Sequence, residues 1–272
     1  MHEAAVAGQL EAVRFLIDNH ADIRAIETSG ESALHKAIDG HSADVVKLLL
    51  ERGCDPNERV HDEAWGDNRE TPLILAARSN ILPVIGTLLD HGAALEGKDT
   101  DGETALLLAA SFNNIEACEF LLSKGADINT TNKRKQTVLH KAAFNSLGNI
   151  ASRNEKTNAA PLVKLLIDKG LDVNAQDGSG CTPLYYAATG YGKALDVLDL
   201  LVHAGAGINS ADKRGNTPLH QAARHGNADV VSWLLDHGAD ANALNADKKK
   251  PRNVASPKSP EVADLLRQHE SH

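Results

Sequence analysis

Aromatic side chains make up only 3% of this 272-residue sequence: two Trp, three Tyr and four Phe. A compact core of that size normally uses more aromatic volume. One large globule with a cleft carved into it is therefore disfavoured, and thin helices packed closely through Ala and Leu fit better. Cysteine is also scarce. Cys54, Cys118 and Cys181 are odd in number and far apart, which suits a reducing compartment better than a disulfide framework, so the cytoplasm is the expected location. No apolar run approaches the roughly 20 residues of a membrane helix, and no apolar segment follows a basic start as in a secretory leader. Nor is there an excess of positive charge. The net charge of −9 argues against direct nucleic-acid binding driven by counterion release. What remains, 42% hydrophobic and 24% charged residues, is the composition of a folded chain rather than a disordered one.

What the sequence has in abundance is repetition. Ser32-Ala33-Leu34-His35 recurs as Thr71-Pro72-Leu73, Thr104-Ala105-Leu106, Thr137-Val138-Leu139-His140, Thr182-Pro183-Leu184 and Thr217-Pro218-Leu219-His220, at spacings of 39, 33, 33, 45 and 35. A second landmark, a glycine followed by a small residue in all copies but Gly170-Leu171, stands at Gly53, Gly92, Gly125, Gly170, Gly205 and Gly238, at spacings of 39, 33, 45, 35 and 33. Both series describe a 33-residue unit carrying insertions of six, twelve and two residues. Within one unit, Thr217-Pro218 opens a helix: the hydroxyl caps free amides, and proline is tolerated in the first turn. Leu219, Ala222 and Ala223 form a short apolar stripe that Gly226 ends with a left-handed turn. Val230, Val231, Leu234 and Leu235 mark a second helix ended by Gly238, and Asp240-Ala241-Asn242 begins an extended turn. Two helices this short cannot bury their own apolar faces, but stacked copies can.

The run Gly215-Asn216-Thr217-Pro218-Leu219-His220-Gln221-Ala222-Ala223, then Gly226, then Leu234-Leu235-Asp236-His237-Gly238-Ala239-Asp240-Ala241-Asn242-Ala243, resembles the ankyrin-repeat family. The resemblance covers nearly the whole chain. It implies an all-α ankyrin-repeat solenoid of helix-turn-helix units joined by β-hairpin-like turns. The expected divisions are an N-terminal half-unit at 1–26, repeats at 27–60, 61–98, 99–131, 132–176, 177–211 and 212–244, and a degraded cap at 245–272, together forming one domain. In the cap, Lys250-Pro251-Arg252 replaces the usual pattern, while Val262, Leu265 and Leu266 keep an apolar face. The resemblance also implies that His35, His140 and His220 are structural hydrogen-bonding residues, and that Asn57, Asn129, Asn174, Asn209 and Asn242 stand where asparaginyl hydroxylases can act on such repeats.

Several motifs look like chemistry and read better as structure. His91 and His237 precede a helix-ending glycine, where a cation suits the helix dipole. Asp99-Thr100-Asp101-Gly102-Glu103 begins like a calcium loop but lacks the bidentate Glu at the required spacing, so it is expected to be a hairpin. Gly190-Tyr191-Gly192-Lys193 lacks the leading glycine and the Ser/Thr of a phosphate loop. Asn129-Thr130-Thr131 lies on a repeat hairpin. Lys248-Lys249-Lys250-Pro251-Arg252 reads as a solvated cap hairpin, with nuclear import as the alternative. No catalytic residue, cofactor or metal ligand is assigned.

In such an array the hairpin tips and the facing ends of the first helices line a groove, and the variable positions there are the expected partner-binding residues. Phe15, Phe120 and Trp233 share one position of the second helix and are expected in the core. Phe112 and Phe144 follow their Ala-Ala pairs at groove positions. Tyr185 replaces the repeat histidine, Tyr186 follows it, Tyr191 lies in the two-residue insertion and Trp65 in the six-residue one. Aromatics in the open are candidate contact anchors. Charge is unevenly divided: residues 1–131 carry −13 and residues 132–272 carry +4. Asp39, Asp67, Glu70, Asp101 and Glu103 supply acidic groove positions, with Arg78 among them. Lys133, Arg134, Lys213, Arg214, Arg224 and His225 supply basic ones. Such a field steers a partner and sets its direction more than its affinity. The polar insertion around Gly148 to Ala159 is expected between the two helices of its unit, away from the hairpin tips.

The function expected from these readings is a non-catalytic protein–protein interaction module that holds a partner protein or peptide in the groove. It is expected to be monomeric, with no membrane or nucleic-acid partner. The alternative is an adaptor or regulatory segment of a longer multidomain protein, enzymatic ones included.

Overall fold

The computed structural model describes residues 1–28, 30–59, 70–144, 158–190 and 194–270. Trp65, Asp67, Tyr191 and most of the insertion around Gly148 lie outside the described residues. Among the described residues the chain is helical and has no strand; one isolated antiparallel bridge joins Ile26 to Ser32. The chain divides into two compact units, one of Met1–Ala109 with Asn114–Lys133 and the other of Ala110–Asn113 with Arg134–His272.

In chain order the first helices are α1 (His2–Val6), α2 (Leu10–Asp18), α3 (Ala33–Asp39), α4 (Ala43–Glu51), α5 (Pro72–Arg78), α6 (Leu82–Asp90), α7 (Ala105–Ser111) and α8 (Ile115–Ser123). They are followed by α9 (Val138–Phe144), α10 (Ala160–Asp168), α11 (Pro183–Ala187), α12 (Ala194–His203), α13 (Pro218–His225), α14 (Ala228–Asp236) and α15 (Pro260–His269), with a 3-10 turn at Pro251–Val254. The local chemistry follows the repeat. Thr71, Thr182 and Thr217 cap α5, α11 and α13 with proline in the first turn, and Gly226 ends α13 at φ 73°. First helices stack on first helices, α1 on α3 on α5 in the first unit and α9 on α11 on α13 in the second. Second helices do likewise, α2, α4, α6 and α8, then α10, α12, α14 and α15.

The core is aliphatic. Leu34, Ile38, Leu49, Leu73, Ile85, Leu88 and Leu121 in the first unit are fully buried, as are Leu139, Leu162, Leu184 and Leu219 in the second. Truncating any one of these to Ala is expected to cost about 3 kcal/mol. Alanine pairs such as Ala76-Ala77, Ala142-Ala143 and Ala222-Ala223, also fully buried, let the helices approach closely.

Polar side chains join one repeat to the next. Nδ1 of His35, His140 and His220 accepts the backbone N–H of Ser32, Thr137 and Thr217 at 3.2–3.3 Å. The proton is therefore on Nε2, which donates to the carbonyls of Glu58 (3.2 Å), Cys181 (3.0 Å) and Lys249 (3.0 Å) in the following hairpin. At the opposite end of the repeat, Asn57 bonds Gly92 O and Ala94 N, Asn174 bonds Gly205 O and Gly207 N, and Asn209 bonds Gly238 O and Asp240 N. His91 and His237 bond the carbonyls of Thr87 and Trp233 through Nδ1 at 2.8 and 2.7 Å, four residues back.

Two expectations about aromatics need correction. Phe15 is 66% exposed and Phe120 and Trp233 are half-buried, so none of the three is core. Their position on the second helix points back to the preceding second helix rather than inward. The Phe120 ring in α8 lies over Gly86 of α6, and Trp233 in α14 donates its indole N–H to Asp199 of α12 at 3.0 Å. In this structure α2 has no earlier second helix to reach. Tyr185, expected outside the core, is 7% exposed, with its hydroxyl 3.2 Å from both Asp212 Oδ2 and Gln221 Oε1. It fills the place of the stapling histidine.

Candidate partner-binding surface

Four of the hairpins each turn on one residue. Asp99 Oδ1 accepts the N–H groups of Asp101 and Glu103; Asp177 those of Ser179 and Cys181; Asp212 those of Arg214 and Asn216; Asn245 those of Asp247 and Lys249, all at 2.8–3.0 Å. The apparent calcium loop at Asp99 is thus a carboxylate spent on its own backbone. Burial pushes the Asp99 carboxyl up in spite of those two bonds. Hairpins then join in a ladder, with Lys133 N–H donating to Asp101 O in the first unit, and Gly178 to Arg134, Lys213 to Ser179 and Ala246 to Arg214 in the second.

The two units differ at the residue just before each helix cap. In the first unit it is Glu31, Glu70 and Glu103; in the second it is Gln136, Cys181 and Asn216. The first unit matches its acids internally. Glu31 pairs with Lys36, and Glu70 accepts from Arg78 at 2.9 Å with only 9% of the Glu70 side chain exposed. Glu103, 6% exposed, accepts from Asn132 Nδ2 at 2.8 Å. Asp39, at the end of α3, has its carboxyl pushed up by loss of hydration and then by the Glu31 charge.

In the second unit a hydrogen-bond network around Asp177 and Asp212 replaces those pairs. Asn245 Nδ2 donates to Asn216 Oδ1 at 2.9 Å, and Asn216 Nδ2 donates to Asp212 at 3.1 Å. Tyr186 donates to Asp177 Oδ2 at 2.7 Å and accepts from Gln136 Nε2 at 2.8 Å. Burial and the adjacent carboxylates raise both the Tyr185 and Tyr186 phenols. Phe144, 47% exposed, sets its ring edge-on to Tyr186 at 5.6 Å and 89°. The second unit also holds a concavity of about 760 Å³ whose wall includes Tyr185, Asp212, Lys213, Arg214, Arg224 and Asn245.

Comparison with known proteins accords with this repeated arrangement. The family described as ankyrin repeats (3 copies) matches residues 1–60, 59–132, 94–153, 129–212, 149–245 and 191–272. The chain belongs to the ankyrin-repeat family. Ankyrin repeats generally mediate protein–protein interaction. Similar stretches occur in a transient receptor potential cation channel subfamily A member 1 homolog of Caenorhabditis elegans, 31% identical over 67% of this chain and 14% of that protein. They occur also in human ankyrin repeat and SOCS box protein 16, 30% identical over 68% of this chain and 39% of that protein. An L-asparaginase of Dirofilaria immitis is 30% identical over 68% of this chain and 28% of its own length. The chain thus spans less than half the length of each of these relatives.

Within this ankyrin frame the expected contact residues fall into three groups. Asp39, Asp101 and Lys133 are exposed in the first unit, while Glu70 and Glu103 are buried, and Glu70 is bound to Arg78 rather than facing solvent. In the second unit Arg134, Phe144, Lys213, Arg214, Arg224 and His225 are exposed, and Phe112 and Tyr186 are half-buried. Trp65, Asp67 and Tyr191 lie outside the described residues. The structure brings Phe144 to Tyr186, and Lys213, Arg214 and Arg224 to one concavity. Sequence reasoning missed Asp177, Asp212, Asn216 and Asn245 as the network behind that surface. The signal was present: an Asp or Asn recurs four residues before each pre-cap residue from Asp99 onward.

The cysteines have no reactive setting. Cys54, Cys118 and Cys181 are buried free thiols, and burial pushes them to about 11, 12 and 12, far from the thiolate a nucleophile needs. Among the described residues no group of three or more His, Cys, Asp or Glu could hold a metal ion, and no helix is long and apolar enough to cross a membrane.

Proposed function

We propose that the second unit binds an extended segment of a partner protein across its hairpins and first helices, by contact alone and with no reaction of its own. The observation that carries this is Phe144, an aromatic ring nearly half in solvent whose underside rests on a tyrosine locked by two hydrogen bonds. A rigidly backed, exposed aromatic costs little entropy to bury against a partner, which is the character of an interface anchor. The concavity walled by Tyr185, Lys213, Arg214 and Arg224 gives the partner chain room in the same unit. A second reading rests on the relatives, in which similar repeats form a minor part of longer proteins. In it, the same surface serves as the docking segment of a multidomain protein.

The test is selection from a displayed peptide library on the wild-type protein and on Phe144→Ser. Sequences enriched on wild type and lost on the variant, with the melting temperature unchanged, are expected. Enrichment that ignores the substitution would remove Phe144 from the surface, and no enrichment at all would contradict peptide binding.

A further inference from the structure

Arginine follows the Ala-Ala pair of a first helix twice, as Arg78 and Arg224. Each stands eight residues after the pre-cap residue of its own repeat, Glu70 for one and Asn216 for the other. Arg78 spends its guanidinium on Glu70, with Nη1 2.9 and 3.1 Å from the two carboxylate oxygens. Arg224 has no such acid. Asn216 is neutral and already committed to Asp212 and Asn245. Asp212 is committed too, since its carboxylate accepts from the backbone of Arg214 and Asn216 and from the Asn216 amide, with the Tyr185 hydroxyl also in reach. Among the described residues Arg224 makes no ion pair, and neither does Arg214 on the same wall. Lys213, the third cation, donates to the carbonyl of Gly178 at 2.6 Å, so its charge has met only a neutral acceptor. The field of Arg224 is felt by its neighbours. His225 is held below its usual range by partial burial and then by Arg224, and His220 by burial with Arg224 contributing.

We infer that Arg224, backed by Arg214 and Lys213, receives a side-chain carboxylate of an acidic, extended partner segment, in the place that Glu70 occupies for Arg78. This rests on the peptide-binding reading above and names the partner's chemistry. An arginine fork takes a carboxylate at two points, and such charge-assisted bonds are about twice as strong as neutral ones. The site's own carboxylates do not compete: Asp212 is saturated, and Asp247, at the rim, is exposed to water.

The test is fluorescence anisotropy at low salt, using labelled peptides of Glu, Gly, Ser and Leu, with a version carrying Gln for Glu, one carrying Lys and one carrying phosphoserine. Two variants accompany wild type: Arg224→Gln, and Asn216→Glu, which installs the internal acid of the first unit. Asp99 beside Glu103 shows that the hairpin tolerates a carboxylate at both places. The Glu peptide is expected to bind wild type at least about tenfold more tightly than the Gln peptide, the equivalent of ~1.4 kcal/mol. Both variants should bring it down to the Gln level, and added salt should do the same. Should Asn216→Glu fail to fold, Arg224→Gln, on an exposed side chain, decides alone. Equal binding of the Glu and Gln peptides would overturn the acidic preference while leaving peptide binding intact. A preference for phosphoserine would overturn the carboxylate in favour of phosphate. If no peptide binds, both this inference and the proposed function lose their basis.

Discussion

Arg78 and Arg224 are the same residue at the same place in two repeats, yet one is an internal structural group and the other a surface cation. The difference lies in a single partner position, Glu70 against Asn216. In the first unit acids before the helix caps are answered from within, by Lys36, Arg78 and Asn132. In the second unit the same positions are neutral, the polar network closes on itself, and the cations are left facing outward. A repeat protein keeps its framework by such internal matching and frees a surface where the matching is withdrawn. The uneven charge of the two halves of the sequence is, at this position, a structural device.

The two units differ again at the stapling histidines. Burial holds His35 down from 6.5 to about 4, and burial lowers His140 and His220 as well. Because the folded values are depressed, the unfolded chain takes up these protons first on acidification. The stability involved is present above about 6.5 and is lost as pH falls towards the folded values; for His35 it amounts to about 3 kcal/mol in full. In the next two repeats of the first unit the equivalent positions are the buried, non-titrating Ile74 and Leu107, so substitution of His35 isolates the acid sensitivity that this staple contributes. His35→Leu should cost about 1–2 kcal/mol at neutral pH, from the unpaired Glu58 carbonyl. It should also flatten the acid slope of amide-exchange protection in the first unit while the second keeps its own. An unchanged slope would mean that His35 titrates normally.

A smaller effect is expected at the hairpin corners. Gly102, Gly180 and Gly215 hold φ between 76° and 81°, a left-handed conformation that Lys135 and Lys248 must adopt at the equivalent corners, at 60° and 58°. An L-side chain there costs roughly 1–2 kcal/mol, partly offset by the chain entropy that glycine loses on folding. Lys135→Gly should therefore raise stability by about 0.5–1 kcal/mol in urea denaturation; a loss would show that the Lys135 side chain contributes more than its backbone costs. The smallest effect belongs to Phe15. Two-thirds exposed, it should tolerate Ser within about 0.5 kcal/mol, while Trp233 at the same repeat position, bonded to Asp199 and stacked on His237 at 3.8 Å, should not. Equal costs would place Phe15 in contact after all.

Much of the fold was legible because the repeat writes the same physics several times. Threonine before proline, alanine pairs and helix-ending glycines each recur, so local propensity and stacking agree at every copy. The stapling role of His35, His140 and His220 was legible through the family resemblance. Less legible was what depends on the neighbouring repeat. Phe15 and Trp233 look alike in one repeat and differ only in whether an earlier helix lies within reach. Tyr185 looked like an exposed aromatic because its partner, Asp212, belongs to the next hairpin. Glu70 read as an open acidic position because its pairing with Arg78 crosses a helix turn that a count of surface charges ignores. The residues behind the concavity, Asp212, Asn216 and Asn245, were hidden because each is ordinary alone: Asp212 holds its own hairpin, and Asn245 reaches Asn216 from the following one.

One arginine is spent internally and the other is not, and paired urea denaturation of Arg78→Gln and Arg224→Gln reads that difference. The first substitution takes a guanidinium away from a buried carboxylate and should cost about 2 kcal/mol, somewhat less than a fully buried pair because Arg78 is a quarter exposed. The second removes an unpaired surface cation and should leave stability within about 0.5 kcal/mol. Equal losses at the two positions would contradict the account, because Arg224 would then have an internal partner of its own.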